Sequence, residues 1–300
     1  MMNVIITGGA GFIGKHLSNY LLKNGFAVTI FDNFSNSKKK SVTSLGDNVK
    51  IIEGDITDIQ SITNATKNQD YIIHLAAKIS VEDSIRNSSE TFRVNVDGTI
   101  NVLKACKKNF VNKLIVTSSA AVYGEGMRGV KLTESSKIKP ISPYGESKSV
   151  MEEEIRKFAS KYDINYTILR LFNVYGIGQS DEYAGVITKF IKNIRDNKSF
   201  EIFGDGMQTR DFVAVQDVIA SIQNAIMSGK NKIYNIASGK SLTIKELAEF
   251  MIKLSKKQLD IKYLLPKEGD IKYSQSDISL AIKELKYIPK HTLYEIKNLL

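Results

Sequence analysis

Tyr144-Gly-Glu-Ser-Lys148 places a phenol and an ammonium four residues apart. On a helix that spacing puts both on one face. A phenol is a poor base near neutral pH, with an ordinary pKa of roughly 10. A nearby cation favours the phenolate and lowers that value. A phenol tuned in this way can exchange a proton with an alcohol during hydride transfer. The spacing alone is common on surface helices. It gains weight from Thr117-Ser118-Ser119, which end an apolar run, with Ser119 25 residues before Tyr144. The Ser119 hydroxyl is expected to bond the same substrate oxygen. Ser119, Tyr144 and Lys148 are therefore the expected catalytic set.

Hydride transfer needs an acceptor, and the N-terminus supplies a place for one. Gly9-x-Gly11-x-x-Gly14 and the overlapping Gly8-x-x-Gly11-x-x-Gly14 follow an apolar run and open a helical pattern. Glycines there allow a tight turn and close approach of a pyrophosphate to the backbone, with free N–H groups at the helix start. A second apolar run ends in Asp32, 18 residues after Gly14. A carboxylate there accepts hydrogen bonds from an adenosine ribose and repels a 2′-phosphate, which points to NAD rather than NADP. Gly54-Asp55-Ile56 ends a third run and places Asp55 near the adenine, or is simply a strand-end turn.

These residues need a scaffold that brings strand ends together. Short β-branched runs at 3–6, 28–31, 50–53, 71–75, 114–117 and 166–171 read as strands. Helical patterns at 13–23 and 90–108 lie between them. A further helix covers 144–162, where Met151, Ile155, Phe158 and Tyr162 make one apolar stripe behind Pro143. Fully apolar strands alternating with helices indicate an α/β fold: a Rossmann-type, doubly wound parallel sheet covered on both faces. Such sheets bind ligands at the carboxyl ends of their strands, where Ser119 falls. Beyond about residue 171 the pattern loosens into helices at 185–195 and 243–254, short strands and glycine turns. The expected division is an NAD-binding domain at 1–171, with a return segment near 213–236, and a smaller mixed α/β substrate lobe at 172–300.

Composition narrows the class. The 300 residues suffice for two packed lobes with a large core, without disulfides or metal. One cysteine, Cys106, fits a reducing compartment and reads as a small buried hydrophobe. No apolar run is long enough to span a membrane, and a glycine loop follows the first strand where a signal peptide would place a cleavage site. A cytoplasmic, membrane-free protein is expected. The net charge of +10 is mostly lysine spread over helix faces, with one dense run at Lys38-Lys39-Lys40. No arginine stripe with interleaved aromatics suggests a nucleic-acid partner. His16, His74 and His291 have no partners at metal-ligand spacing, so no metal is expected.

With these residues in place, the chain resembles the extended short-chain dehydrogenase/reductase family. Within it, the chain is most similar to nucleotide-sugar 4-epimerases of the UDP-glucose/UDP-galactose type. The resemblance covers nearly the whole chain. It rests on Thr7-Gly-Gly-Ala-Gly-Phe-Ile-Gly14, Asp32-Asn-Phe-Ser-Asn36, Gly54-Asp-Ile56, His74-Leu-Ala-Ala77, Asn95-Val-Asp-Gly-Thr99, Ser118-Ser-Ala-Ala-Val-Tyr-Gly124 and Ser142-Pro-Tyr-Gly-Glu-Ser-Lys148. Arg170-Leu-Phe-Asn-Val-Tyr-Gly176, Gly204-Asp-Gly-Met-Gln-Thr-Arg-Asp-Phe212 and Glu268-Gly-Asp270 continue it.

The resemblance implies that Gly8, Gly11, Phe12, Ile13, Asp32, Asn33, Asn36, Asp55, Ile56, Ala76, Tyr144, Lys148 and the backbone around Phe172 hold NAD, with Lys78 and Asn95 close by. It implies that Asn173, Val186, Ile202, Arg210 and Asp270 touch a nucleotide diphosphate, UDP being favoured. It implies a homodimer in which helices 90–108 and 144–162 form a four-helix bundle. Arg210 also stands out by usage: the chain has 35 lysines and 7 arginines, and a guanidinium in a glycine-rich loop suits a diphosphate. A structural ion pair with Asp211 or Asp217 is the alternative. Two positions depart from the family. Lys267 stands where an arginine is usual, giving a point charge without the fork. Ser274 stands where a bulky residue narrows the sugar pocket, leaving room for an N-acetyl group.

The implied reaction oxidises the sugar at C4, turns the 4-keto sugar in the pocket and reduces it on the other face. A 4,6-dehydratase or a decarboxylase would begin with the same oxidation. Dehydratases commonly carry Asp-Glu just after the strand-end hydroxyl, and decarboxylating relatives carry Glu there. This chain has Ala120-Ala121. A silent NAD sensor or RNA-associated relative is a more distant alternative, and the retained Tyr144 and Lys148 speak against it.

Overall fold

A computed structural model describes residues 1–43, 45–46, 48–179, 185–229, 231–267 and 270–300. Seven parallel strands form its main sheet: β1 (Asn3–Thr7), β2 (Ala27–Asp32), β3 (Val49–Glu53), β4 (Tyr71–His74), β5 (Lys113–Ser119), β6 (Tyr166–Leu171) and a strand from much later in the chain, Lys232–Ile236. Between these last two lie β7 (Asn173–Tyr175), β8 (Phe200–Phe203) and β9 (Thr209–Ala214), so the late strand is β10. The sheet order is β10-β6-β5-β4-β1-β2-β3. The order reverses at β1, where doubly wound sheets open a crevice at the strand ends. The apolar runs are apolar because both faces are covered: Val4, Ile5, Ile6, Ile72, Ile73, Leu114, Ile115 and Val116 are all fully buried.

The helix Phe12–Lys23 buries Gly14, Leu17, Ser18 and Leu21, a stripe at three- and four-residue spacing. The helix Pro143–Tyr162 starts at Ser142, whose Oγ accepts from Gly145 N at 3.2 Å, with Pro143 in its first turn. It ends at Asp163, which adopts a left-handed φ of 53°. Its buried side includes Lys148, Met151, Glu152, Ile155 and Ala159. The helix expected at 90–108 is interrupted. Ser88–Phe92 and Gly98–Lys108 are α-helical, but Arg93–Asp97 is wound as a π-helix. This local widening carries Asn95, and periodicity of apolar residues does not report it.

Two small sheets lie beside the main one. One has the order β11-β9-β7, with β11 at Ser241–Thr243. The other pairs β12 (Ile261–Leu264) with β8. Their core includes Phe190 stacked on Phe200 at 4.1 Å, with Phe212, Leu247 and Met251. From β9 the chain runs through the helix Val215–Met227, which packs on Phe12–Lys23, and returns to the main sheet as β10 beside β6.

No helix among the described residues is long and apolar enough to cross a membrane. Among them, no group of three or more His, Cys, Asp or Glu is arranged to hold a metal ion. Cys106 is buried, and burial pushes its thiol up to about 12.

Candidate active site

The glycine loop bends because nothing larger fits. Gly8 has φ +68°, and a Cβ there would lie 2.7 Å from Ala76 N. A Cβ on Gly14 would lie 2.6 Å from Gly8 O. The following helix begins at Gly11 with no side-chain cap, which leaves its first N–H groups to an outside acceptor. At the end of β2 the Asp32 carboxylate accepts from Ala10 N at 3.0 Å and Phe34 N at 2.8 Å, fixing it beside the loop. Asn33 Nδ2 donates to Asp55 at 2.9 Å. Burial raises the Asp55 carboxyl, but hydrogen bonds from Thr57 and Asn33 outweigh it and hold the carboxyl below its usual range.

These groups line one cleft of about 450 Å³. Gly8, Gly11, Phe12, Ile13, Asp32, Asn33, Asn36, Asp55, Ile56, Ala76, Lys78 and Phe172 are all in its wall, together with Ser119, Tyr144 and Lys148. The donor set fits a dinucleotide: bare backbone at the glycine turn, a fixed carboxylate at the end of β2, and apolar walls from Ile56 and Ala76. Asn95 is placed differently. It is buried behind the wall, where its Oδ1 accepts from Lys78 N at 2.8 Å. Its Nδ2 donates to Lys78 O at 3.0 Å and Ser147 Oγ at 3.0 Å. Asn95 therefore ties the Lys78 backbone to the tyrosine helix rather than facing the cleft.

Ser119, Tyr144 and Lys148, the expected catalytic residues, meet where β5 ends. The Ser119 hydroxyl hydrogen-bonds the Tyr144 phenol, and Ser119 Oγ also accepts from Ala121 N at 3.2 Å. Burial holds the phenol above its ordinary value, and the Ser119 bond pulls it the other way. Spacing suggested that Lys148 would lower the phenol directly. Instead, Lys148 Nζ donates to Thr117 O at 3.0 Å, and its own value is pushed down to about 8 by burial, with Glu152 opposing. The four-residue spacing sets a shared helix face, but a long side chain still chooses its own partner. His74 lies between Thr7 Oγ1 at 2.7 Å and Thr99 Oγ1 at 2.9 Å. Burial and the Lys148 charge push it down to about 3, so it is neutral.

Asn173 and Val186 line a neighbouring pocket of about 200 Å³ with Phe212. Val174 and Gln179 line both cavities, so the two adjoin. Gln179 carries no sequence signal beyond its glycine-rich turn. Glu90 also lines the main cleft and ion-pairs with Arg93 at 2.7 Å. Ile202, expected at the nucleotide, has its side chain buried in the apolar core with Phe190, Phe200 and Phe212, where packing holds it.

Arg210 pairs with neither Asp211 nor Asp217. Its Nη2 donates to Asp270 at 2.5 Å and its Nη1 to Thr209 O at 2.8 Å. Burial lowers the guanidinium's pKa, with Asp270 and Glu125 acting against it. Asp211 is engaged by Ser238 and Gly239, and burial raises it to about 6. Asp217 holds His291 at 2.8 Å. Lys267 Nζ lies 4.4 Å from the Phe203 ring centre, and Ser274 is buried with its N donating to Thr209 Oγ1 at 3.3 Å. Glu268 and Gly269 of the expected turn lie outside the described residues.

Residues 4–237 match the model of the NAD dependent epimerase/dehydratase family. This chain belongs to that family. The structure of this epimerase/dehydratase family member is similar to a UDP-glucose 4-epimerase from Thermotoga maritima solved with UDP-glucose. The two are 34% identical with a TM-score of 0.94, over 99% of this chain and 97% of that one. It is also similar to a UDP-N-acetylglucosamine 4-epimerase from Methanobrevibacter ruminantium in complex with UDP-N-acetylmuramic acid. There the identity is 36% and the TM-score 0.93, over 99% and 95% of the chains. A UDP-N-acetyl-alpha-D-glucosaminuronate decarboxylase from Bacillus cytotoxicus is 36% identical over 82% of this chain and 78% of its own. The family member described here is an NAD-dependent enzyme of the nucleotide-sugar epimerase type, and its relatives include enzymes that remove groups from the sugar.

Proposed function

We propose that the enzyme interconverts the C4 epimers of a UDP-sugar, UDP-glucose and UDP-galactose first, with N-acetylated sugars also accepted. NAD held by Gly8, Gly11, Asp32 and the rest of the cleft wall would supply reversible hydride acceptance at C4 and a nicotinamide positive charge. Tyr144 moves the proton of the 4-hydroxyl, and Ser119 holds the same oxygen. Lys148 adds a positive charge one helical turn away, which favours the phenolate. Residues 1–171 with 213–236 hold the cofactor in this proposal. Residues 172–300 hold the nucleotide through Asn173, Arg210 and Asp270. Such an arrangement binds the nucleotide firmly and leaves the sugar free to turn. A homodimer through the two long helices, in the cytoplasm, belongs to the same proposal and is supported by the family motifs.

The observation that carries epimerisation over elimination is the turn after Ser119. Ala120–Val122 forms a short 3-10 turn with no ionisable side chain. The next carboxylates along the chain are both engaged. Glu125 accepts from Lys272 N at 2.8 Å and Tyr273 N at 2.9 Å, and Glu134 accepts from Asn235 N at 2.8 Å. A proton-shuttling acid or base for dehydration is not provided there. Purified enzyme given UDP-galactose, UDP-glucose and UDP-N-acetylglucosamine separately tests the proposal by product chromatography. Each sugar is expected to yield its C4 epimer, with rates for the N-acetylated and plain sugars within about tenfold, because a serine at 274 replaces the bulky residue usual in the family. A 4-keto-6-deoxy product would instead establish the dehydratase.

A further inference from the structure

Behind the catalytic trio lies a buried polar network that the proton chemistry does not use. Glu152 is 2% exposed and stands one helical turn beyond Lys148. Its carboxylate accepts from Arg170 Nε at 2.9 Å and Nη2 at 2.6 Å, and from Ser118 Oγ at 2.6 Å. Arg170 Nη1 donates to the Tyr123 hydroxyl at 2.8 Å, which donates to Asn235 Oδ1 at 2.6 Å. A buried ion pair of this kind adds little net stability over well-packed apolar residues, so its position needs another reason. Ser118 precedes Ser119 on β5, and Lys148 precedes Glu152 on the tyrosine helix. One carboxylate therefore joins the strand end that carries Ser119 to the helix that carries Tyr144 and Lys148.

We propose that Glu152, clamped by Arg170 and Ser118, is a positioning residue that keeps Lys148 charged and holds Ser119 in register with Tyr144. It rests on the reading of Tyr144 and Lys148 as the proton-handling pair. The groups around Lys148 leave this task to Glu152. From its own helix come Tyr144 and Glu152, from β5 the Thr117 carbonyl, and from β4 the neutral His74. Burial strips the ammonium of water, and the Glu152 charge opposes that loss. Arg170 faces Glu152 from β6 and holds its carboxylate through two hydrogen bonds.

Glu152→Gln keeps the shape and removes the charge. Lysine Cε resonances titrated by NMR in the full-length enzyme, with Lys148→Met to assign the signal, read Lys148 without turnover. The Lys148 midpoint is expected to fall by about one pH unit in Glu152→Gln. The alkaline limb of kcat is expected to follow it, while KM for the nucleotide sugar changes by less than about twofold. An unchanged midpoint in folded Glu152→Gln overturns the proposal. Where the unpaired Arg170 prevents folding, Glu152→Gln with Arg170→Met removes both charges, and the same two outcomes decide. If neither variant folds, the network serves folding alone and the proposal is rejected. Failure of the epimerase reading shows separately, as absent product with the wild-type enzyme.

Discussion

Tyr144→Phe should lower kcat by about a thousandfold or more while NAD retention and the melting temperature stay near wild type. The phenolic oxygen is the only heavy atom removed, and positioned acid–base groups contribute about 10²–10⁴ to rate. The ring remains against the cleft wall beside Lys148. The Ser119 hydroxyl loses one partner but keeps its bond from Ala121 N. Turnover within tenfold of wild type would remove Tyr144 from the chemistry and shift attention to Ser119 or an ordered water. Loss of NAD along with activity would instead show a binding role.

Gly8→Ala should be structurally costly in the cofactor loop. The new Cβ would meet Ala76 N at 2.7 Å, the Ala76 Cα at 2.8 Å and the Leu75 carbonyl carbon at 2.9 Å, all backbone atoms that cannot swing away. The residue must also hold φ +68°, where alanine is strained. Overpacking and strain together predict a loss of about 3 kcal/mol in stability. Denaturant unfolding measures the loss, and absorbance of the purified protein measures retained NAD. A variant that melts normally with NAD bound would show that the loop relaxes in a way the backbone contacts do not allow.

The main sheet and its glycine turn were legible because their signals are local. Strands buried on both faces read as apolar runs, as in β1 and β5, and the glycine turn and Asp32 lie in one strand-loop-helix-strand unit. The small sheets after residue 171 were less legible. β7 and β11 have three residues each, too few to show a period, and most of β12 is exposed. Long-range pairings were the least visible. Arg210 finds Asp270 sixty residues away, whereas proximity in sequence suggested Asp211 or Asp217. The roles of Asn95 and Lys148 depended on where buried side chains reach, to Lys78 and Ser147 in one case and Thr117 O in the other. Burial also set the sign at Tyr144: the phenol is raised, and spacing alone had suggested the reverse. The Glu152–Arg170 pair joins a helix and a strand 18 residues apart, and neither residue stands in a motif that marks it for proton chemistry.

The central claim is that hydride leaves C4 and returns to the same carbon while the 4-hydroxyl gives up and regains its proton, with no carbon–oxygen or carbon–carbon bond broken. The direct measurement uses UDP-galactose carrying deuterium at C4, incubated with the purified enzyme in ordinary water. The account predicts UDP-glucose with the deuterium retained at C4, as read by mass spectrometry and proton NMR. Product with the label lost to solvent, or a dehydrated or decarboxylated product, would contradict it.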